Sequence, residues 1–251
     1  PDGKSVVFSY GGDLYIVASE GGEARKLTSH QAYDYSPVWS PDGKTIVFAS
    51  DRFGNFDIYK VSVKGGVPQR LTTNSAKETP WTFTPDGKSI LFTARIQDPA
   101  SSVLFPKSSM TELYSVSIEG GRPQQVLATP AEEISFVGNT GTFLYQDCKG
   151  GENIWRKHHT SSITRDIWMY DGANHTKLTD FKGEDRTPRV SADGKTVYFT
   201  SERDGSFNVY SFPIDNPSQV KKITRHKTHP VRFLTVSDNG VLCYAYDGDI
   251  Y

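Results

Sequence analysis

One short phrase governs what this chain can fold into. Ser40-Pro41-Asp42-Gly43-Lys44 returns as Thr84-Pro85-Asp86-Gly87-Lys88 and as Ser191-Ala192-Asp193-Gly194-Lys195, and the chain opens on Pro1-Asp2-Gly3-Lys4. Proline presets φ near −65°, aspartate bonds back to its own backbone, and glycine accepts a positive φ, so each copy reads as a tight turn. Apolar, β-branched or aromatic runs follow, at residues 6–8, 46–48, 90–92, 143–145, 197–199 and 241–244. Short apolar runs between turn signals predict strands buried on both faces.

A second strand ends each time in an aromatic: Tyr15, Tyr59, Tyr114, Trp168, Tyr210 and Tyr251. Two places before it stands Asp13, Asp57, Glu112, Asp166, Asn208 or Asp249, read as polar groups that satisfy buried backbone. Glycine pairs at 21–22, 65–66 and 120–121 suggest two-residue hairpins into a short closing strand. With the strand before each turn, the unit has four antiparallel strands. Asp2, Asp42, Asp86, Thr140, Asp193 and Asn239 are separated by 40, 44, 54, 53 and 46 residues. A period of about 40–50 with four strands per unit marks a β-propeller.

The expectation is therefore an all-β, six-bladed propeller over residues 1–251, truncated at both ends. Its blades fall at about 1–29, 30–73, 74–129, 130–180, 181–226 and 227–251. The first blade lacks its opening strand and the last its closing one, so the chain reads as a segment of a longer protein.

Composition narrows the partners. With 28 basic and 29 acidic residues the net charge is −1, which argues against nucleic acid. No apolar stretch approaches the roughly 20 residues of a membrane span. The first residues lack signal-peptide features, although a missing initiator Met leaves room for a removed targeting segment. Cys148 and Cys243 read as free, partly buried thiols.

Departures from the repeat point to function. The interval from middle-strand to next-strand aromatic is seven or 11 residues in four blades. It is 22 in the third (Phe92 to Tyr114) and 23 in the fourth (Tyr145 to Trp168). Both long loops leave the same point of the repeat unit, so they are expected on one face. One carries Leu104 and Phe105; the other carries Trp155, Arg156, Lys157, His158 and His159. Apolar anchors beside cations suit a peptide or another domain, against the alternative of loops packed on their own rim.

No catalytic constellation is visible: there is no G-x-S-x-G elbow and no H-E-x-x-H helix. No cofactor or metal is expected, because His158-His159 and His226-x-x-His229 do not supply three convergent ligands. Asp51-Arg52 and Glu202-Arg203 occupy one repeat position, which suits loop fastening better than acid–base chemistry.

The repeat unit resembles the propeller repeats of TolB, prolyl-oligopeptidase relatives and tricorn-type proteases. The stretches at 106–121, 155–172 and 188–211 are similar to consecutive parts of the N-terminal six-bladed propeller of the tricorn family. That resemblance implies a non-catalytic domain of a serine peptidase, guiding or filtering peptides. It also implies a second propeller, a PDZ module and a catalytic domain in the same chain, and a possible homo-oligomer. The family's Arg-Arg anchor for a substrate carboxylate would fall at 74–83, where Lys77 is the sole cation. A lysine lacks the bidentate fork, so the anchor is not carried over. The competing readings are a free-standing TolB-like protein-binding propeller and the propeller gate of a prolyl-oligopeptidase relative. The resemblance points to an exported, periplasmic protein, with the cytoplasm as the alternative.

Overall fold

A computed structural model describes residues 1–96, 110–151, 153, 155, 156, 158 and 160–251. The fold is an all-β, six-bladed propeller, and among the described residues there is no helix. The first sheet holds β1–β3 (Ser5–Tyr10, Asp13–Ala18, Arg25–Lys26) and the second β4–β7 (Asp34–Trp39, Thr45–Ser50, Asp57–Ser62, Gln69–Arg70). The third holds β8–β11 (Thr79–Phe83, Ser89–Ala94, Glu112–Ser117, Gln124–Leu127) and the fourth β12–β15 (Ala131–Phe136, Phe143–Asp147, Ile167–Tyr170, His175–Lys177). The fifth holds β16–β19 (Asp185–Val190, Thr196–Ser201, Asn208–Pro213, Lys221–Lys222) and the sixth β20–β22 (Arg232–Val236, Leu242–Tyr246, Asp249–Ile250). Within each sheet every strand pairs antiparallel with its neighbour in sequence. Residues Pro1–Pro130 and Ala131–Tyr251 form two compact units of three sheets each.

The repeated turn is built as its residues dictate. Asp42 Oδ1 accepts the Ser40 hydroxyl at 2.6 Å and the Lys44 N–H at 3.1 Å, while Ser40 Oγ accepts the Thr45 N–H. Gly43 sits at φ +67°. Asp86 and Asp193 repeat the arrangement. These bonds, the hydroxyl first, hold all three carboxyls below the ordinary aspartate range.

The glycine pairs do not make two-residue hairpins. Six residues separate β2 from β3, β6 from β7 and β10 from β11. The first glycine closes a four-residue turn, with Gly21 N–H on the Ala18 carbonyl at 2.9 Å. The second adds another positive φ, +117° at Gly22, and so lengthens the loop.

A threonine fastens the outer edge of four blades. The Oγ1 atoms of Thr28, Thr72, Thr179 and Thr224 accept the N–H groups of Leu14, Ile58, Ile167 and Val209 at 2.9–3.0 Å. The third blade has Ala128 at that place, and its closing strand β11 is four residues long instead of two or three.

Burial on both faces holds for β5, β9 and β13. It fails for β1 and β21, which are half-buried because they belong to three-stranded sheets with less surface to cover them. In the first unit Val47 and Ile58 pack with Phe83, Ile90 and Phe92, so the faces of the second and third sheets interlock. In the second unit Leu144 and Ile167 pack with Val197, Phe199 and Phe212. Burying one such side chain is worth about 1.5–3 kcal/mol.

The opening strands of four blades bend at one shared position. Ser36, Glu133, Thr187 and Phe233 have φ between +50° and +55°, each inside a register shift against the next strand. One extra residue per strand makes a β-bulge, which turns the strand end away from the sheet.

Candidate functional site

The Asp51-Arg52 and Glu202-Arg203 pairs are fasteners. Arg52 donates to Ser50 Oγ at 3.0 Å and to buried Asp34 at 2.7 Å, and Asp51 accepts the Tyr33 N–H. Arg203 repeats this on Ser201 and Asp185, and Glu202 accepts the His158 N–H at 2.6 Å. Each arginine clamps the first strand of its blade to the second. The third blade lacks the clamp, because Ile96 stands at the arginine's place and Glu78 at the aspartate's. Glu78 is fully buried and is bonded by the Thr72 hydroxyl and by Asn74 Nδ2, with no cation in ion-pair range among the described residues. Burial pushes its carboxyl up to about 7.

Lys77 is exposed, and its ammonium lies 5.3 Å from the ring centres of both Tyr35 and Phe56. Those rings meet edge to face at 4.9 Å. Lys77 thus rests over aromatic faces in the first unit. Leu104, Phe105, Lys157 and His159 lie outside the described residues.

The fourth-blade loop occupies the second unit. Trp155 is 59% exposed, and the Arg232 guanidinium lies 4.4 Å over its ring. Asn153 accepts the Trp155 N–H through its side chain and the Arg156 N–H through its carbonyl, which makes a local turn. His158 adopts φ +54° as its N–H reaches Glu202. At the base of the loop, Lys149 donates to Asp166 and to the Thr164 carbonyl, both at 2.5 Å.

Beneath the loop is a set of arginines. Arg186 Nε meets Glu184 Oε2 at 2.8 Å, which also accepts the Arg165 N–H, and Arg165 Nε stands 3.7 Å from Glu132. Burial and the charge of Arg186 lower the proton affinity of Arg232. Glu132, Arg186 and Arg232 occupy one repeat position, just before the bulge residue of β12, β16 and β20. The charges were visible in the sequence; that one position lines them up required the bulge register.

Across residues 2–251 the chain matches the family model described as the tricorn protease N-terminal beta propeller domain. The chain belongs to this family. The crystal structure of the tricorn protease superposes with a TM-score of 0.82 at 23% identity, over the whole of this chain and 24% of that one. TolB from Acinetobacter baumannii gives 0.69 at 20% identity, over 97% of this chain and 61% of that one. Shorter matches reach a TolB homologue of Chlorobium luteolum, 49% identical over 43 residues, and the uncharacterized peptidase YuxL of Bacillus subtilis, 48% identical over 52 residues. These cover 17% and 19% of this chain but only 10% and 8% of those proteins. This tricorn-type propeller therefore spans about a quarter of the tricorn protease chain and about a tenth of the curated relatives it matches.

The fifth blade of the propeller carries a groove of about 590 Å³. Its lining includes the turn Asp204-Gly205-Ser206, the cations Lys222, Arg225 and Lys227, and His158 of the fourth-blade loop. The sequence signal is the basic run at 221–229, in which the His226-x-x-His229 spacing offers too few ligands for a metal. The two histidines have separate engagements: His226 stacks on Tyr246 at 3.8 Å, and His229 Nε2 lies 3.1 Å from Asp247. Among the described residues no three His, Cys, Asp or Glu side chains could share a metal. Neither Cys148 nor Cys243 is in a disulfide, Cys148 Sγ lies 3.7 Å from the Gly150 carbonyl, and burial raises both thiols.

Proposed function

We propose that this tricorn-type propeller is the non-catalytic domain of a serine peptidase, where it guides or filters peptides on their way to or from a catalytic domain of the same protein. The observation that carries the reading is the family match over residues 2–251. The polar groups support it: the acids and arginines brought together by the repeat are committed to clamping strands. The exposed Trp155 under Arg232 and the cationic groove of the fifth blade both face solvent. A PDZ module, a second propeller and homo-oligomerisation belong to the same proposal, as does a peptide-contacting role for Lys77, Leu104, Phe105 and residues 155–159.

The decisive comparison sets the purified propeller beside the product of the complete reading frame that encodes it. Short fluorogenic peptides are offered to both. Turnover by the complete product, lost on treatment with a serine-directed covalent inhibitor, and none by the propeller, is the expected result. Turnover by the propeller itself, or by neither, refutes it. A TolB-like binding propeller is the second reading, favoured by the superposition on TolB over 97% of this chain; it predicts no turnover by either product.

A further inference from the structure

We propose that the groove of the fifth blade receives an acidic stretch of peptide, with Lys222, Arg225 and Lys227 meeting its carboxylates. The starting point is a departure from the repeat. In three other blades the closing-strand cation is neutralised inside the blade by the acid two places before the aromatic. The pairs are Lys26–Asp13 at 2.6 Å, Arg70–Asp57 at 2.6 Å and Lys177–Asp166 at 3.0 Å. Lys222 occupies the same ladder position, opposite Tyr210, but its blade has an amide, Asn208, where the others have an acid.

Asn208 is wholly engaged with backbone and threonine. Its Oδ1 accepts the His226 N–H at 2.7 Å and the Thr224 hydroxyl at 2.9 Å, and its Nδ2 donates to the His226 and Ser206 carbonyls. Lys222 pairs instead with Asp204, 3.1 Å away on the groove's exposed turn. What differs is the partner: Asp204 is 54% exposed, whereas the acids that pair with the closing-strand cation in the other three blades are at most 13% exposed, so the Lys222 pair is open to exchange with an outside carboxylate.

The same amide fixes the platform that carries the other two cations. It holds His226 by both backbone groups, Tyr246 holds the imidazole from one face, and Tyr244 Oη lies 3.2 Å from Nε2. Arg225 and Lys227 flank this clamped residue. Both are exposed, and neither has a carboxylate within ion-pair distance among the described residues. Residues 221–229 hold four Lys or Arg and two His with no acid, in a chain whose net charge is −1. Asp204 is the one carboxylate among the lining residues; Lys222 and the Tyr210 hydroxyl keep it ionised. A peptide carboxylate can displace it from Lys222, while the Arg225 guanidinium offers two parallel donors. The groove volume lies within the roughly 300–1,000 Å³ range of ligand clefts.

This inference names the chemistry of the peptide and rests on the peptide-handling reading, but its assay needs no peptidase. A short fluorescein-labelled peptide of alternating Glu and Ala is titrated with the purified protein by anisotropy, beside its Gln-Ala counterpart. The Glu peptide should bind at least about tenfold tighter, and the difference should shrink as salt shortens the Debye length. Reversing the two free cations, as R225E/K227E, should remove the difference, whereas the charge-matched K4E/K64E in the first unit should leave it. Thermal midpoints are measured for each variant, and R225Q/K227Q replaces the reversal if that protein fails to fold. Equal affinity for the two peptides, binding of neither, or an equal loss in K4E/K64E overturns the proposal. Turnover by the complete product together with no acidic preference would leave the peptide-handling reading standing and remove this one alone.

Discussion

Glu78 sits where two other blades have an aspartate clamped by arginine, and among the described residues nothing cationic comes with it. Replacing it with glutamine tests whether burial of an unclamped carboxyl governs how stability depends on pH. Its proton affinity rises from the ordinary 4.5 to about 7. At about 1.4 kcal/mol for each tenfold in proton affinity, that difference amounts to about 3 kcal/mol. The side chain is fully buried, so solvent screening takes little from it. Between pH 4.5 and 7 the folded protein holds a proton that the unfolded chain has released. Stability from this group is therefore fully present below pH 4.5, falls as pH rises to about 7, and stays reduced above it. Glu78→Gln keeps a neutral group of the same shape, able to donate to Thr72 and accept from Asn74. Urea unfolding followed by tryptophan fluorescence, with Trp81 as a nearby reporter, should show the variant gaining on the parent by about 3 kcal/mol between pH 4.5 and 8. Asp185, whose carboxyl burial also raises, remains in both proteins and cancels in the difference, whereas the charge of Asp57 is among the causes that raise Glu78 and belongs to the effect. A difference that stays flat from pH 4 to 8, or a variant less stable than the parent at pH 8, would refute the reasoning.

Two further substitutions test the fasteners. Arg52→Met should cost about 3–5 kcal/mol in the same assay, because it strands the fully buried Asp34 carboxylate, whereas a loss below 1 kcal/mol would mean that the clamp is dispensable. Thr224→Val preserves shape but leaves the Val209 N–H without its acceptor; a loss of about 1–3 kcal/mol is expected, and faster amide exchange at Val209 locates it.

Much of the architecture was legible because its causes are local. The Ser-Pro-Asp-Gly-Lys turn carries its hydrogen-bond partners within five residues, so Asp42, Asp86 and Asp193 could be read directly. The Arg52–Asp34 clamp spans 18 residues and depends on strand pairing, which left its carboxylate partner unnamed. The bulge was not legible: serine, glutamate, threonine and phenylalanine have no side-chain chemistry in common, and the ladder around them imposes the positive φ. The glycine pairs misled because a hairpin signal was counted in two residues when the loop uses six. At the candidate site, Lys77 was recognisable as a cation, but its seat over Tyr35 and Phe56 depends on residues 42 and 21 positions away. The fifth-blade groove was hidden in the smallest departure, an Asn in a column of acids, whose effect on Lys222 appears only once the closing strand is in register.

Among the described residues every hydrogen-bonded ladder closes within a single blade, between strands adjacent in the chain. Backbone pairing within ladders thus demands only short loop closures, and successive blades meet through side chains and isolated backbone bonds, such as Asp34 N–H on the Gly12 carbonyl and Val231 N–H on the Phe207 carbonyl. Such a chain has no obligatory first blade: a sheet can nucleate wherever its hairpins form soonest, and the next one condenses against its face. A lesion in one ladder then leaves its neighbours' ladders chemically complete. Damage should consequently be felt first as local opening of a blade, with protection from amide exchange lost one sheet at a time.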